Sequence, residues 1–316
     1  MADTTVAYCL LCGRAVPANT PLPRLCAGCT GLGHRAPSGP PPAPAIPGYE
    51  GLSRLAEGGM GVVFSARRIA DGVPAAIKVL RHDLWKSRPM AEDFLTEIRL
   101  LGELRHPGIV ALYEAGPLPD GLYYAMELCE EGSVAARVSR AGPLSWAEAK
   151  PLVHEALEAL SFIHERAVVH RDIKPQNLLL RAGGAVKIAD LGLARSFRDA
   201  TYRRTATGAP ALGTWRFMPA EQLADYKHVR PATDQWAMAA TIRWMLTGRG
   251  PRDIPDGAGE PEVLAIIEDP SSILPLGEHR AGLPPRVAAA LDRALAFDPN
   301  DRFPTTRALL AALKEA

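Results

Sequence analysis

The stretch His170-Arg-Asp-Ile-Lys-Pro-Gln-Asn177 decides the fold of this 316-residue chain. It combines an acid, an amide, two cations and a proline directly before the apolar run Leu178-Leu-Leu180. An aspartate beside a hydroxyl can accept its proton, and a carboxamide oxygen can ligate magnesium. A polar surface loop is the alternative, but it would not explain so dense a set of groups before an apolar strand.

Two motifs precede this stretch. Leu55-Ala-Glu-Gly-Gly-Met-Gly-Val-Val-Phe64 places glycines between two predicted strands, where backbone amides can approach phosphates. On its own, a glycine-rich hairpin is commonly only a tight turn. Lys78 lies in the apolar strand Ala75-Ala-Ile-Lys78, and Glu97 in the following amphipathic helix is its candidate partner. The alternative is a solvent-facing lysine on a half-buried strand.

A fourth motif follows this stretch, and apolar patterns along the chain predict several helices. Asp190-Leu-Gly192 ends the predicted strand Val186-Lys-Ile-Ala189, where a carboxylate can hold magnesium, although Asp-x-Gly alone is a common turn. Apolar periodicity predicts a helix over about residues 90–104. Further helices are predicted from Ser145, which forms a Ser-x-x-Glu capping box with Glu148, near Thr233, near Pro285 and after Pro304.

The order and spacing of these motifs resemble the eukaryotic-type serine/threonine protein kinases, and bacterial members in particular. The resemblance extends from about residue 49 to residue 313. It implies an α+β, two-lobed protein kinase fold, with a β-rich N-terminal lobe and an α-rich C-terminal lobe. It also implies an ATP- and magnesium-dependent enzyme that transfers the γ-phosphate of ATP to serine or threonine hydroxyls of protein substrates.

The same resemblance implies catalytic roles for four residues. Asp172 would accept the proton of the substrate hydroxyl or orient that hydroxyl, and Lys174 would stabilise the transferring phosphate. Lys78 would contact the α- and β-phosphates and be steered by Glu97. The implied nucleotide-binding residues are Leu55, Ala56, Glu57, Gly58, Gly59, Met60, Gly61, Val63, Ala76, Lys78, Met126, Glu127, Cys129, Asn177 and Asp190, and Asn177 and Asp190 are also the implied magnesium ligands.

Several of these implications concern the choice of substrate and regulation. The stretch Asp172-Ile-Lys-Pro175 and the pair Gly213-Thr214 are similar to the serine/threonine branch. Residues 190–221 resemble an activation loop that the kinase autophosphorylates, with Thr205 and Thr207 as candidate sites and Arg171 as the group that receives the phosphate. The alternative is a flexible polar loop with no regulatory role. Structural roles are implied for an ion pair between Glu221 and Arg302 and for Asp234, which would brace the catalytic loop.

The sequence departs from the family pattern at four places, namely Ala56, Leu191, Pro219-Ala-Glu221 and Ala239. None of these changes removes a side chain that contacts phosphate or metal. The chain keeps Lys78, Asp172 and Asp190, so an active enzyme is favoured over an ATP-binding scaffold that signals by shape. The exchange of proline and alanine before Glu221 makes substrate binding the property most affected.

Four cysteines lie in the first thirty residues, as Cys9-Leu-Leu-Cys12 and Cys26-Ala-Gly-Cys29. Four thiolates at this spacing can surround a structural zinc ion, so Cys9, Cys12, Cys26 and Cys29 predict a small zinc ribbon. Two redox dithiols, or cysteines that occur there by chance, are the alternatives. The predicted organisation is therefore a zinc-ribbon-like segment at 1–35, a proline-rich linker at 36–47 and a kinase domain at 48–316.

Composition and charge indicate which partners and which location to expect. The 36 basic and 35 acidic residues nearly cancel, which disfavours nucleic acid as a partner of the chain or of the ribbon. No run of about 18 apolar residues predicts a membrane span, and the first residues do not resemble a secretory signal. We therefore expect a cytoplasmic protein with protein substrates and a possible protein partner at the ribbon.

Overall fold

The computed structural model describes residues 7–8, 15–16, 44–57, 61–80, 88–119, 121–191, 215–224, 229–255, 257–276 and 283–315. These residues form two compact units. The described residues of the first unit fall within Met1–Glu103 and Ala111–Leu128. Those of the second fall within Leu104–Val110, Cys129–Leu193 and Phe197–Ala316.

The first unit is built on an antiparallel sheet of five strands and one helix. The strands are β3 (Tyr49–Glu57), β4 (Gly61–Arg68), β5 (Pro74–Leu80), β6 (Leu112–Leu118) and β7 (Gly121–Glu127), and the helix between β5 and β6 is α1 (Arg88–Glu103). Their order across the sheet is β3-β4-β5-β7-β6. The predicted strands on either side of the glycine-rich stretch, the strand that carries Lys78 and the helix predicted over about residues 90–104 are therefore confirmed.

A separate hairpin lies near the start of the chain. Strand β1 (Ala7–Tyr8) pairs antiparallel with β2 (Ala15–Val16), with Ala7 opposite Val16 and Tyr8 opposite Ala15. In the sequence, Cys9 and Cys12 fall in the segment that joins these two strands.

One face of the five-stranded sheet carries an apolar cluster. Its buried members are Ile46, Tyr49, Ala66, Ala75, Ile77, Leu118, Tyr123 and Ala125. Ile46 comes from the end of the predicted linker and is only 4% exposed, so this end of the linker packs against the sheet. Burial of such side chains stabilises the sheet by removing apolar surface from water.

Strands β4 and β5 approach closely at Gly61. A Cβ atom built on Gly61 would overlap the carbonyl group of Val79, which is backbone and cannot swing aside. Gly61 is paired with Leu80 in the ladder, so this contact lies at the very start of β4. Only glycine fits here without moving the two strands apart.

The second unit is mainly helical. Its helices are α2 (Val134–Ala141), α3 (Trp146–His164), α4 (Ala220–Ala224), α5 (Pro231–Thr247), α6 (Glu260–Glu268), α7 (Pro285–Ala294) and α8 (Thr306–Lys314), and its short strands are β8 (Leu178–Leu180) and β9 (Val186–Ile188). The capping box is confirmed, because the Ser145 side chain accepts from Glu148 N and the Glu148 side chain accepts from Ser145 N. Helix α5 begins two residues before the predicted Thr233, since Pro231 suits the first turn of a helix.

A segment from the middle of the N-terminal half belongs to this second unit. Residues Leu104–Val110 run beside β9, where Val110 N donates to Ile188 O (3.0 Å) and Ile188 N donates to Gly108 O (2.8 Å). Lys187 Nζ also donates to Ile109 O at 3.3 Å. Within the described part of the chain, no helix is long and apolar enough to cross a membrane.

Candidate active site

The register of the sheet places the candidate residues of the first unit on one face. Lys78 lies opposite Val63 on β4 and opposite Tyr124 on β7, and Ala76 lies opposite Met126. Because side chains alternate along a strand, residues 76 and 78 share a face, and so do residues 124 and 126. This face therefore carries Val63, Ala76, Lys78 and Met126 together, and it is opposite the face with the apolar cluster.

The remaining candidates of this unit lie at the edges of that face. Ala56 pairs with Val63 just after an irregularity in the β3–β4 register, and Leu55 at that irregularity is 53% exposed. Glu127 ends β7, and its backbone N–H donates to Ala111 O at 2.9 Å. Cys129 is buried and belongs to the second unit.

Lys78 and Glu97 form a buried ion pair. Lys78 Nζ lies 3.0 Å from Oε1 and 3.2 Å from Oε2 of Glu97, and the two residues are 8% and 1% exposed. Lys78 is thus not the solvent-facing lysine of the alternative interpretation. An ammonium group out of water needs such a partner, since an isolated buried charge is strongly disfavoured.

The backbone of the catalytic loop in the second unit is held by Asp234. Asp234 Oδ2 accepts from His170 N at 2.7 Å, and Oδ1 accepts from Arg171 N at 2.8 Å. Arg171 adopts a positive φ of 69°, a conformation that costs free energy unless its surroundings fix it. The two bonds from Asp234 supply that constraint, as the sequence predicted for this residue.

Asp234 also binds a histidine. His164 Nε2 lies 2.7 Å from Asp234 Oδ2, and His164 Nδ1 lies 2.7 Å from Thr306 Oγ1. Burial alone would raise the pKa of Asp234, but its hydrogen bonds and electrostatic interactions with His164 and His170 hold that pKa below its ordinary value. Asp234 is therefore an anion that accepts hydrogen bonds from three directions.

Asp172, Lys174 and Asn177 lie together on this braced loop. Lys174 Nζ lies 3.0 and 2.9 Å from the two carboxylate oxygens of Asp172. Asn177 Nδ2 donates to Asp172 O at 2.7 Å and to Asp172 Oδ2 at 3.0 Å. The Asp172 carboxylate thus contacts both the ammonium group of Lys174 and the amide of Asn177.

Asn177 and Asp190 both carry oxygen atoms of the kind that bind a hard cation. The amide nitrogen of Asn177 is engaged with Asp172, so its oxygen is the atom suited to a metal. Ala189 N donates to Asn177 O at 2.9 Å, which ties the residue before Asp190 to Asn177. Asp190 has a φ of 49°, uncommon for a residue with a side chain. These oxygen donors match the preference of magnesium.

Several predicted site residues lie outside the described residues. They are Gly58, Gly59 and Met60 of the glycine loop, Gly192, Thr205, Thr207, Gly213 and Thr214 of the predicted activation loop, and the cysteines Cys9, Cys12, Cys26 and Cys29. Among the residues that the structure does describe, no group of three or more His, Cys, Asp or Glu side chains is arranged to hold a metal ion.

Sequence reasoning missed two contributors to the geometry. Tyr124 OH donates to Glu97 Oε1 at 2.9 Å, and Thr306 contacts His164. The alternation of β7 is a signal for Tyr124, because it shares a face with the predicted site residue Met126. Thr306 gives no such signal, since it lies 142 residues from His164.

Comparison with known proteins places this geometry in a family. Protein kinase domains match residues 49–312, and the chain belongs to that family. It is 32% identical over 275 residues to a probable serine/threonine-protein kinase of Corynebacterium efficiens, a match that covers 84% of this chain and 41% of that protein. It is 32% identical over 272 residues to the serine/threonine-protein kinase PknB of Mycobacterium leprae, with 84% and 42% covered. Identity to PknH of Mycobacterium bovis is 29% over 265 residues, with 83% and 43% covered. The chain spans less than half the length of these curated relatives.

Proposed function

We propose that this protein transfers the γ-phosphate of ATP to serine or threonine hydroxyls of protein substrates. The observation that carries the proposal is the contact of Asp172 with Lys174 and Asn177 on a loop whose backbone is fixed by Asp234. Phosphoryl transfer requires mainly positioned groups and charge stabilisation, which this arrangement supplies.

Each side chain of the loop has a separate task in this proposal. The Asp172 carboxylate accepts the proton of the substrate hydroxyl or orients that hydroxyl toward the phosphate. Lys174, held 2.9 Å from Asp172, stabilises the negative charge of the transferring phosphate. Asn177 and Asp190 would hold magnesium through oxygen, and the bound ion would neutralise phosphate charge.

The first unit contributes the binding of the nucleotide. Lys78 contacts the α- and β-phosphates while Glu97 fixes its ammonium group. Val63, Ala76 and Met126 share the face of Lys78 and contact the adenine, and the backbone of residues 127–129 bonds its edge. Leu55, Ala56, Glu57 and the glycines at 58, 59 and 61, with Met60, cover the phosphates.

Autophosphorylation of Thr205 or Thr207 is the proposed switch. A phosphate there would meet the guanidinium group of Arg171, whose backbone already binds Asp234. Replacement of both threonines by alanine should lower activity toward a protein substrate by about tenfold or more. Unchanged activity of the double alanine variant would argue against the switch.

The N-terminal cysteines are proposed to bind structural zinc in a segment at 1–35, which a linker at 36–47 joins to the kinase domain at 48–316. The spacing of the Cys-x-x-Cys pairs supports this proposal, and so does the pairing of β1 with β2, between which Cys9 and Cys12 fall in the sequence. We also propose that this segment binds a protein partner. The proposed location of the whole protein is the cytoplasm. One zinc per chain by elemental analysis, lost when Cys9 and Cys12 are replaced by serine, is the expected result.

The experiment for the main proposal uses purified protein, labelled ATP and magnesium. Label on serine or threonine, absent in Asp172→Asn and retained in the exposed control Asp253→Asn, is the expected outcome. ATP binding without transfer, to the protein itself or to a generic acceptor protein, would instead favour the scaffold interpretation.

A further inference from the structure

A tyrosine hydroxyl contacts the ion pair of the first unit. Tyr124 OH donates to Glu97 Oε1 at 2.9 Å, and this oxygen also lies 3.0 Å from Lys78 Nζ. Tyr124 is 0% exposed, so its hydroxyl is removed from water. A buried hydroxyl is stabilised by a charged acceptor, and the bond is stronger than one between neutral groups.

The sheet register fixes the side of the strand on which this hydroxyl lies. Tyr124 stands directly opposite Lys78 in the β5–β7 ladder, and Lys78 Nζ lies 5.7 Å from the centre of its ring. The ring is also held by Phe94 of α1, with centroids 5.3 Å apart at 45°. Both the ring and the hydroxyl of Tyr124 therefore join β7 to helix α1 beside the ion pair.

These contacts restrict the orientation of the Glu97 carboxylate. A carboxylate that accepts from two donors on different strands has few rotamers that keep both bonds. An ammonium group donates in several directions, so the bond to Lys78 does not by itself fix the orientation of the carboxylate. The tyrosine hydroxyl adds a second fixed point, so the Lys78 ammonium group is held in one place.

We propose that Tyr124 is a positioning residue that acts through Glu97 to hold Lys78 in place for the phosphates of ATP. This inference rests on the proposed kinase function. It assigns to β7 a role beyond contact with the adenine, because the hydroxyl two residues before Met126 sets the geometry of the phosphate-binding lysine.

The test compares Tyr124→Phe with its neighbour Tyr123→Phe. Both changes remove one hydroxyl from a buried tyrosine of β7, since Tyr123 is 6% exposed and its hydroxyl bonds Glu114 at 3.2 Å. The Tyr123 side chain belongs to the apolar cluster on the other face of the sheet. The pair therefore separates loss of the bond to Glu97 from general loss of a buried hydroxyl.

The full-length variants should be assayed for the KM for ATP, for kcat and for equilibrium binding of ATP and of adenosine. Tyr124→Phe is expected to weaken ATP binding and raise the KM for ATP by about tenfold, with adenosine binding unchanged. Tyr123→Phe should leave all four quantities within about twofold of wild type. The decisive result is weaker binding of ATP with unchanged binding of adenosine, because a packing defect would weaken the binding of both ligands.

The outcomes separate this inference from the proposed function. If the wild-type protein transfers no phosphate, the kinase proposal fails. The affinities of Tyr124→Phe for ATP and for adenosine, compared with those of the wild type, still test the positioning role. If the wild type is active but Tyr124→Phe matches Tyr123→Phe, the positioning role is overturned. Equal weakening of ATP and adenosine binding, or unfolding of Tyr124→Phe at temperatures where Tyr123→Phe stays folded, would also overturn it in favour of a packing role.

Discussion

Arg302 binds Glu221 through two parallel hydrogen bonds, from Nη1 to Oε1 at 2.6 Å and from Nη2 to Oε2 at 3.0 Å. The guanidinium group also donates to the backbone oxygens of Ala232, Ala296 and Phe297. The Arg302 side chain is 0% exposed and that of Glu221 is 24% exposed. This cation therefore joins α4, the start of α5 and the turn after α7, as the sequence predicted for the pair.

Loss of the Arg302 side chain should destabilise the protein strongly. Arg302→Met leaves a carboxylate and several carbonyl groups without their donor, so we expect the free energy of unfolding to fall by about 3 kcal/mol. Urea unfolding followed by circular dichroism measures this change.

A matched control is Arg307→Met. Arg307 also bonds a carboxylate, that of Glu165, but the two side chains are 71% and 51% exposed. Solvent screens such a pair, so the expected change in the free energy of unfolding is small beside that of Arg302→Met. Equal effects of the two substitutions would contradict the importance of burial at Arg302.

Thr306 should influence catalysis through two intermediaries. Its hydroxyl contacts His164, which contacts Asp234, which fixes the backbone of His170 and Arg171. Thr306→Val keeps the shape but loses the contact, so kcat should fall by about tenfold with the KM for ATP unchanged. Thr306→Ser restores a hydroxyl and should recover most of kcat. A valine variant with full kcat, or a serine variant as slow as valine, would disprove the relay.

Gly61 should not tolerate a side chain. A Cβ at this position would overlap the Val79 carbonyl group, so Gly61→Ala is expected to lower the free energy of unfolding by about 1–3 kcal/mol. Gly102→Ala in α1 is the control, because its Cβ would lie 3.7 Å from Leu112 Cδ2, an ordinary contact. That change should be neutral or stabilise the helix by up to about 1 kcal/mol. Urea midpoints that coincide for both variants would refute the close approach.

Stability should fall as the pH drops below neutrality. Burial lowers the pKa of His106, His154 and His170 below the ordinary value of 6.5. As the pH falls just below 6.5, each of these histidines therefore stays neutral in the folded state, whereas in the unfolded chain it gains a proton. The unfolded state then binds more protons, and stability present above pH 6.5 is lost as the pH falls through it.

The loss is at most about 1.4 kcal/mol per pH unit for each histidine. Urea unfolding at pH 7.5 and pH 5.5 measures it, and His154→Leu should reduce the difference by removing one of the groups. The lowered pKa of Asp234 affects the free energy of unfolding only below its ordinary value of 3.8, outside the range from pH 5.5 to pH 7.5. Constant stability across the window would contradict the lowered histidine values.

Much of the fold followed from local patterns in the sequence. Helix α3 was predicted with its capping box, and its apolar stripe from Leu152 to Ile163 is buried. Local signals work here because a cap and a helical period involve residues only three or four positions apart. The partner of Lys78 was also predicted, because a lysine in an apolar strand requires an anion nearby.

Two contacts over long sequence distances escaped prediction. The bond between Tyr124 and Glu97 depends on the register of β5 against β7, and a shift of one residue would turn Tyr124 to the other face. Composition and periodicity do not set that register. The contact of Thr306 with His164 depends likewise on how α8 packs against α3, which is a property of the tertiary structure.

The segment Leu104–Val110 has a consequence for how this gene can be divided or recombined. A polypeptide that starts at Cys129 would lack the backbone groups that bond Ile188 and Lys187, and one that ends at Glu103 would lack β6 and β7. Neither unit is therefore encoded by one continuous stretch of codons. During translation, the five-stranded sheet is complete only after residue 127 has been made. By then seven residues of the helical unit, Leu104–Val110, have already been synthesised. A single crossover with a relative anywhere between Glu103 and Cys129 would consequently build at least one of the two units from parts of two different proteins.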